Sequence, residues 1–313
     1  MAWAYEDLEH RLVAAAATAE AGPPMEWQQV SHPRGTVAMR AGFRTVDGVR
    51  IRYAESGGPP EQTVLLTSPW PESMYAFAPI WPALAERFRL VAVDLPGFGG
   101  SEGRAELFSP RAMGTFLVGL IEDWALGRPH LIAPDVGTAA ALFATLQSPG
   151  SVTSVVVGSG GAAVPVELGP PLRDWALDPN LDRLRELDPK AVVDVALSTM
   201  AGHEFPQAIR EDYHDSYAGD RFVDSMGYVR RYPYELPELA ARLGEIETPV
   251  MVFAGSRDRV VPLANADFLA AHLPNCQLAT LGAGHFVWEE EPDAFAQLLG
   301  EWIDENNDAN GGS

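Results

Sequence analysis

The sequence predicts an α/β protein: a mostly parallel eight-stranded sheet, flanking helices and a helical cap inserted after the sixth strand. Three observations point there. Short apolar runs alternate with helical stretches over most of the chain, which implies parallel strands joined by crossover helices. The alternation lapses between Gly160 and about Pro237, where short helical stretches are broken by Pro and Gly and no buried-strand run occurs. A length of 313 residues with 47% hydrophobic content is enough for one large core and an insertion.

Taken in order, residues 4 to 20 read as an acidic, Ala-rich helix, and the Pro- and Gly-bearing stretch Gly22 to Gly42 leads out of it, so 1–41 is expected to be a helical arm. Strands are expected at Gly42 to Thr45, Val49 to Ala54, Thr63 to Thr67, Leu90 to Val93, His130 to Ala133, Val152 to Val157, Val250 to Ala254 and Gln277 to Leu281. They divide the core into 42–160 and 238–304, with the cap at 161–237. The cap holds Trp175, His203, Tyr213, His214, Tyr217, Tyr228, Tyr232 and Tyr234; packing within the cap accounts for most aromatics in such an insertion. Residues 305–313 are polar and acidic and are expected to form a disordered tail.

Composition narrows the partners. Lys and Arg number 22 against 43 Asp and Glu, a formal net charge of −21 that repels nucleic acid and anionic membranes. Cys276 is the only cysteine, so no intrachain disulfide forms, and its place in an apolar strand suggests a packed thiol. No apolar run is long enough to span a bilayer, and Glu6, Asp7 and Glu9 precede the short Ala run, which is not a signal-peptide pattern. A cytoplasmic location is the expectation, with a small organic substrate, no cofactor and no metal. The arm leaves a homodimer open.

The segment His130-Leu131-Ile132-Ala133-Pro134-Asp135-Val136-Gly137 turns an apolar strand abruptly into a small-residue helix. A nucleophile elbow needs this layout, because the turn exposes one side chain above the sheet and small neighbours let strand and helix approach. Asp135 is also a favoured helix-capping residue, so the segment alone leaves both readings open. Two later segments weigh toward the elbow. Val250 to Gly255 runs into Ser256-Arg257-Asp258-Arg259, and the last strand runs into Gly282-Ala283-Gly284-His285. A nucleophile, then an acid and a histidine on loops after successive strands, is the order of a catalytic triad.

These segments, with Asp94-Leu95-Pro96-Gly97-Phe98-Gly99-Gly100-Ser101 after the fourth strand, resemble the α/β-hydrolase superfamily across residues 42 to 303. Because the elbow carries Asp, the sequence is most similar to the branch of epoxide hydrolases and haloalkane and fluoroacetate dehalogenases. The resemblance implies that Asp135 forms an alkyl ester with substrate and that His285, oriented by Asp258, activates the water that hydrolyses it. It also implies backbone oxyanion donors at Val136 and Trp70. Trp70 lies in Thr67-Ser68-Pro69-Trp70-Pro71-Glu72, where the family usually has His-Gly-x-Pro often followed by Glu; Ser68 and Pro69 replace the His and Gly, yet the donor comes from the x position. A cis Trp70-Pro71 bond is implied in the same way.

Epoxide opening leaves an alkoxide that needs a proton, and the resembling hydrolases supply it from cap tyrosines. Tyr228 fits that position, while no tyrosine occurs between Gly161 and Leu197, which leaves Trp175 or His203 to substitute, or one tyrosine to suffice. Dehalogenases often have Trp directly after the nucleophile; here that residue is Val136. The expectation is therefore hydrolysis of an apolar or aromatic epoxide to a diol, with haloalkane or haloacid dehalogenation, or non-catalytic binding of a small molecule, as alternatives.

Overall fold

The computed structural model describes residues 30–32, 35–37, 39–178, 180, 182–200 and 203–311, with side chains from Met39 onward except at 61 and 308–311. The helix expected at residues 4 to 20 lies outside the described residues. Within the stretch expected as a helical arm, Val30–His32 and Gly35–Val37 pair as a small antiparallel hairpin.

The central sheet consists of β1 Ala41–Val46, β2 Val49–Glu55, β3 Thr63–Thr67, β4 Arg89–Val93, β5 His130–Pro134, β6 Ser154–Gly158, β7 Val250–Gly255 and β8 Cys276–Leu281. Their spatial order is β1-β2-β4-β3-β5-β6-β7-β8; β1 and β2 run antiparallel to their neighbours, and every other pairing is parallel. All eight expected strands are present. Every residue of β3, β5, β6 and β7 is buried, as strands covered by helices on both faces require, which is why they read as continuous apolar runs. The exception is the edge strand β8, whose residues are half-buried or exposed. Cys276, expected as a packed thiol, is only partly buried on that edge.

The helices are α1 Trp81–Ala85, α2 Pro110–Asp123, α3 Gly137–Gln147, α4 Leu172–Leu177, α5 Pro189–Leu197, α6 Gln207–Ser216, α7 Arg221–Val229, α8 Tyr232–Ala240, α9 Ala264–His272, α10 Val287–Glu290 and α11 Pro292–Gly311. Ser109 caps α2 by accepting the N–H of Ala112, with Pro110 at its first position. Gly114 allows α2 to lie against α3, since a Cβ there would come within 2.8 Å of the Ala144 backbone nitrogen. Residues 305–311, expected as disordered, instead continue α11. Asn306 donates to Trp302 O at 2.9 Å and Asn307 Oδ1 meets His130 Nε2 at 3.1 Å, contacts that a polar composition conceals.

Helices α4 to α8 form the insertion between β6 and β7, and two carboxylates, one half-buried and one buried, fasten it to the core. Arg52 on β2 binds Asp94 beside it and reaches Asp212 on α6 through both terminal nitrogens, at 2.5 and 2.9 Å, while Ser73 Oγ donates to Asp212 at 2.6 Å. On the other side, Glu235 on α8 accepts from Ser109 Oγ at 2.9 Å and from the N–H of Arg111 at 3.0 Å. The insertion is thus tied down at α6 and at α8.

Candidate active site

At the β5–α3 junction, Asp135 has φ +50, a left-handed conformation that few non-glycine residues adopt. The turn is held by the N–H of Asp135 donating to Gly158 O at 2.9 Å. Space there is short: a Cβ on Gly137 would lie 2.4 Å from Thr67 Oγ1, and one on Gly160 2.3 Å from Asp135 O. Such crowding explains the run of small residues around the turn. The Oδ2 atom of the Asp135 carboxylate accepts the backbone N–H of Trp70 at 2.6 Å.

His285 and Asp258 converge on the same point. His285 Nδ1 meets Asp258 Oδ2 at 2.8 Å, and His285 Nε2 faces Asp135 Oδ1 at 3.8 Å. The other oxygen of Asp258 accepts the N–H groups of Val260 and Val261 at 2.8 and 2.9 Å, so the carboxylate is fixed before it orients the imidazole. On the far side of the imidazole, Glu290 accepts the N–H of Gly284 at 2.8 Å and braces the loop.

Burial shapes the protonation of these groups. It pushes the Asp135 carboxyl up to about 6, against the pull of the His285 charge and of the N–H groups of Trp70 and Val136. For His285, burial acts downward, but the charge and hydrogen bond of Asp258, with the charge of Asp135, prevail and hold it above its ordinary value. The arrangement can present a carboxylate oxygen to an electrophile and a base to water.

His285 opens onto a cavity of about 540 Å³ whose wall also includes Trp70, Leu172, Trp175, Val192, Val195 and Val260. Trp175 lies on that wall, edge-on to Phe222 at 5.8 Å. Tyr228 does not. It is completely buried, and its hydroxyl, expected as a cap proton donor, donates to the carbonyl oxygen of Val136 at 2.7 Å. The Trp70-Pro71 bond is cis, and the indole N–H of Trp70 donates to Ser225 Oγ at 3.1 Å.

Sequence reasoning did not single out a second buried cluster behind the elbow. Glu72 accepts the indole N–H of Trp288 at 2.9 Å, and His203 Nε2 from the cap lies 3.2 Å from Glu289. Burial raises Glu72 well above the usual carboxylate range, and the charge of Glu289 adds to it. Glu72 follows the Pro of the quoted Trp70-Pro71 segment, a signal available in the sequence; nothing there pairs it with Glu289.

The model of the α/β-hydrolase fold family matches residues 62–292, and the chain belongs to that family. Among curated relatives, the hydrolase YugF of Bacillus subtilis is 27% identical, covering 83% of this chain and 96% of its own. A 2-hydroxy-6-oxononadienedioate/2-hydroxy-6-oxononatrienedioate hydrolase of Burkholderia vietnamiensis is also 27% identical, over 82% of this chain and 91% of its own. Among solved structures, Cfl2 of Burkholderia cenocepacia superposes with a TM-score of 0.72 at 27% identity, covering 88% of this chain and 98% of its own. The haloalkane dehalogenase DbeA of Bradyrhizobium elkani superposes at 0.73 with 22% identity, over 86% and 99%, a likeness of fold.

Proposed function

We propose that this hydrolase attacks an alkyl carbon bearing a leaving group and passes through a covalent ester on Asp135. The observation that carries this reading is the division of the Asp135 carboxylate: Oδ2 is held by the N–H of Trp70 at 2.6 Å, while Oδ1 faces the His285 imidazole at 3.8 Å. Oδ1 supplies the electron pair that forms the carbon–oxygen bond as the leaving group departs with its own. Water then gives a proton to His285 Nε2 and its oxygen adds to the ester carbon, with the developing charge on Oδ2 beside the N–H groups of Trp70 and Val136. Collapse returns the proton to the departing alkoxide and leaves a water-derived oxygen on Asp135. The names of the curated relatives support hydrolysis; an alkyl rather than acyl carbon is argued because a carboxylate attacking an acyl carbon only makes an anhydride.

Carbon–halogen cleavage is the leaving-group reading we favour. A halide departs as an anion and needs N–H donors, and Trp175 presents an indole on the wall shared with His285. Epoxide opening to a diol, which the sequence pattern suggests first, needs a proton for the alkoxide, and the Tyr228 hydroxyl is already committed to Val136 O. Tyr232 keeps epoxide opening as the second reading: it is buried, and burial together with the Asp135 charge pushes its pKa up, so its hydroxyl keeps the proton. The test is mass spectrometry of the Asp135 peptide from the His285→Gln variant after exposure to matched haloalkanes and epoxides. An adduct is expected, larger with halides; no adduct with any compound, and no wild-type turnover, would overturn the ester mechanism and favour a binding protein.

A further inference from the structure

The cavity wall is apolar except for a few groups, and most of those already have partners. Ser198 Oγ donates to Val195 O, Thr199 Oγ1 to Ala196 O and Trp70 Nε1 to Ser225 Oγ; Glu290 Oε2 accepts from Gly284, while its Oε1 has no hydrogen-bond partner among the described residues. Two guanidinium groups on the wall, those of Arg257 and Arg259, have no carboxylate at ion-pair distance among the described residues. Both are exposed, whereas His285 is buried, so the cations stand at the cavity mouth and His285 lies deeper in it. They flank Asp258 in the chain, and the hydrogen bonds of Asp258 to Val260, Val261 and His285 fix the backbone that carries them.

We propose that Arg257 and Arg259 bind a carboxylate on the substrate, making the substrate an apolar or aromatic organic acid whose reacting carbon lies at Asp135. This inference rests on the reading of the cavity as the substrate site. A protein with 43 acidic against 22 basic side chains repels anions as a whole, and local cations at the mouth of an apolar cavity are what an anionic ligand requires there. Guanidinium groups suit a carboxylate because their N–H donors match its two oxygens. The apolar wall of Leu172, Val192, Val195 and Val260 holds the body of the molecule and keeps its carboxylate away from that of Asp135.

The test is calorimetric binding of 3-phenylpropanoate, which carries no leaving group, against the isosteric neutral 3-phenylpropanamide. Wild type is expected to bind the carboxylate about tenfold more tightly, with the preference shrinking as salt rises. The Arg257→Gln/Arg259→Gln double variant, checked for unchanged melting, is expected to bind both alike, and Arg257→Lys/Arg259→Lys to restore part of the preference. Equal binding by wild type, or a preference that survives the glutamine variant, would overturn the proposal. Because neither probe reacts, a failure here is separate from absence of an Asp135 adduct, which bears only on the ester mechanism.

Discussion

The Tyr228 hydroxyl donates to the Val136 carbonyl oxygen at 2.7 Å, joining the cap helix α7 to the residue that follows Asp135. Removing the hydroxyl leaves a buried carbonyl without its partner, which costs about 1–3 kcal/mol. Tyr228→Phe is therefore expected to lower the denaturation midpoint while keeping most of the single-turnover rate of ester formation. A loss on the order of 100-fold in that rate, with unchanged stability, would instead return Tyr228 to the role of proton donor.

Asp135 must be ionised to attack, and burial places its pKa at about 6, so ester formation is expected to fall as pH drops through that value. Ester hydrolysis needs neutral His285, whose pKa is raised, so its rate is also expected to fall on the acid side. Stability runs the other way. Between the ordinary 3.8 and about 6 the folded protein binds more protons at Asp135 than the unfolded chain does, so this group favours folding at low pH and that contribution is lost as pH rises through the window. Asp135→Asn removes the cost of the buried charge at neutral pH and is expected to stabilise the fold by up to about 3 kcal/mol while abolishing ester formation. Titrations of single-turnover rate and chemical denaturation at several pH values check both signs; destabilisation by Asn would contradict the assignment.

The candidate triad was legible because each member stands within four residues of the end of a strand, where position in the chain fixes position in space. Asp135, Asp258 and His285 needed only the strand order to be brought together. Tyr228 was not legible in the same way: it lies on a short cap helix, and the direction of its hydroxyl depends on how that helix packs over Val136. Nor did the sequence reveal that Asp212 pairs with Arg52, 160 residues away, or that the acidic residues after Asp304 continue a helix.

Trp175 stands on the cavity wall, and its ring packs edge-on to Phe222 at 5.8 Å. Trp175→Phe keeps an aromatic ring but removes the indole N–H. If a halide leaves toward this indole, the rate of halide release is expected to fall on the order of 100-fold with little change in substrate binding. A rate unaffected by this change but abolished by Tyr232→Phe would favour an epoxide oxygen as the leaving group. Stopped-flow halide release and diol formation, measured on both variants, separate the two.

Asp212 sits where the cap meets the loop that carries Trp70. Its carboxylate takes two bonds from Arg52 and one from Ser73, and Ser73 is three residues beyond Trp70. Asp212→Ala leaves the Arg52 guanidinium, largely buried, with Asp94 as its remaining charged partner, a change expected to cost about 3 kcal/mol. Asp94 keeps the N–H groups of Met74 and Gly100, so the core should stay folded while α6 loosens. Hydrogen exchange is expected to speed up in 207–216 before it does in β5 or β6, and the rate of ester formation to fall because Trp70 N–H is less firmly held toward Asp135. Asp212→Asn keeps an acceptor for Ser73 and should recover part of both losses. Exchange that rises uniformly across cap and sheet would show that Arg52 and Asp212 support the whole fold instead of fastening the cap.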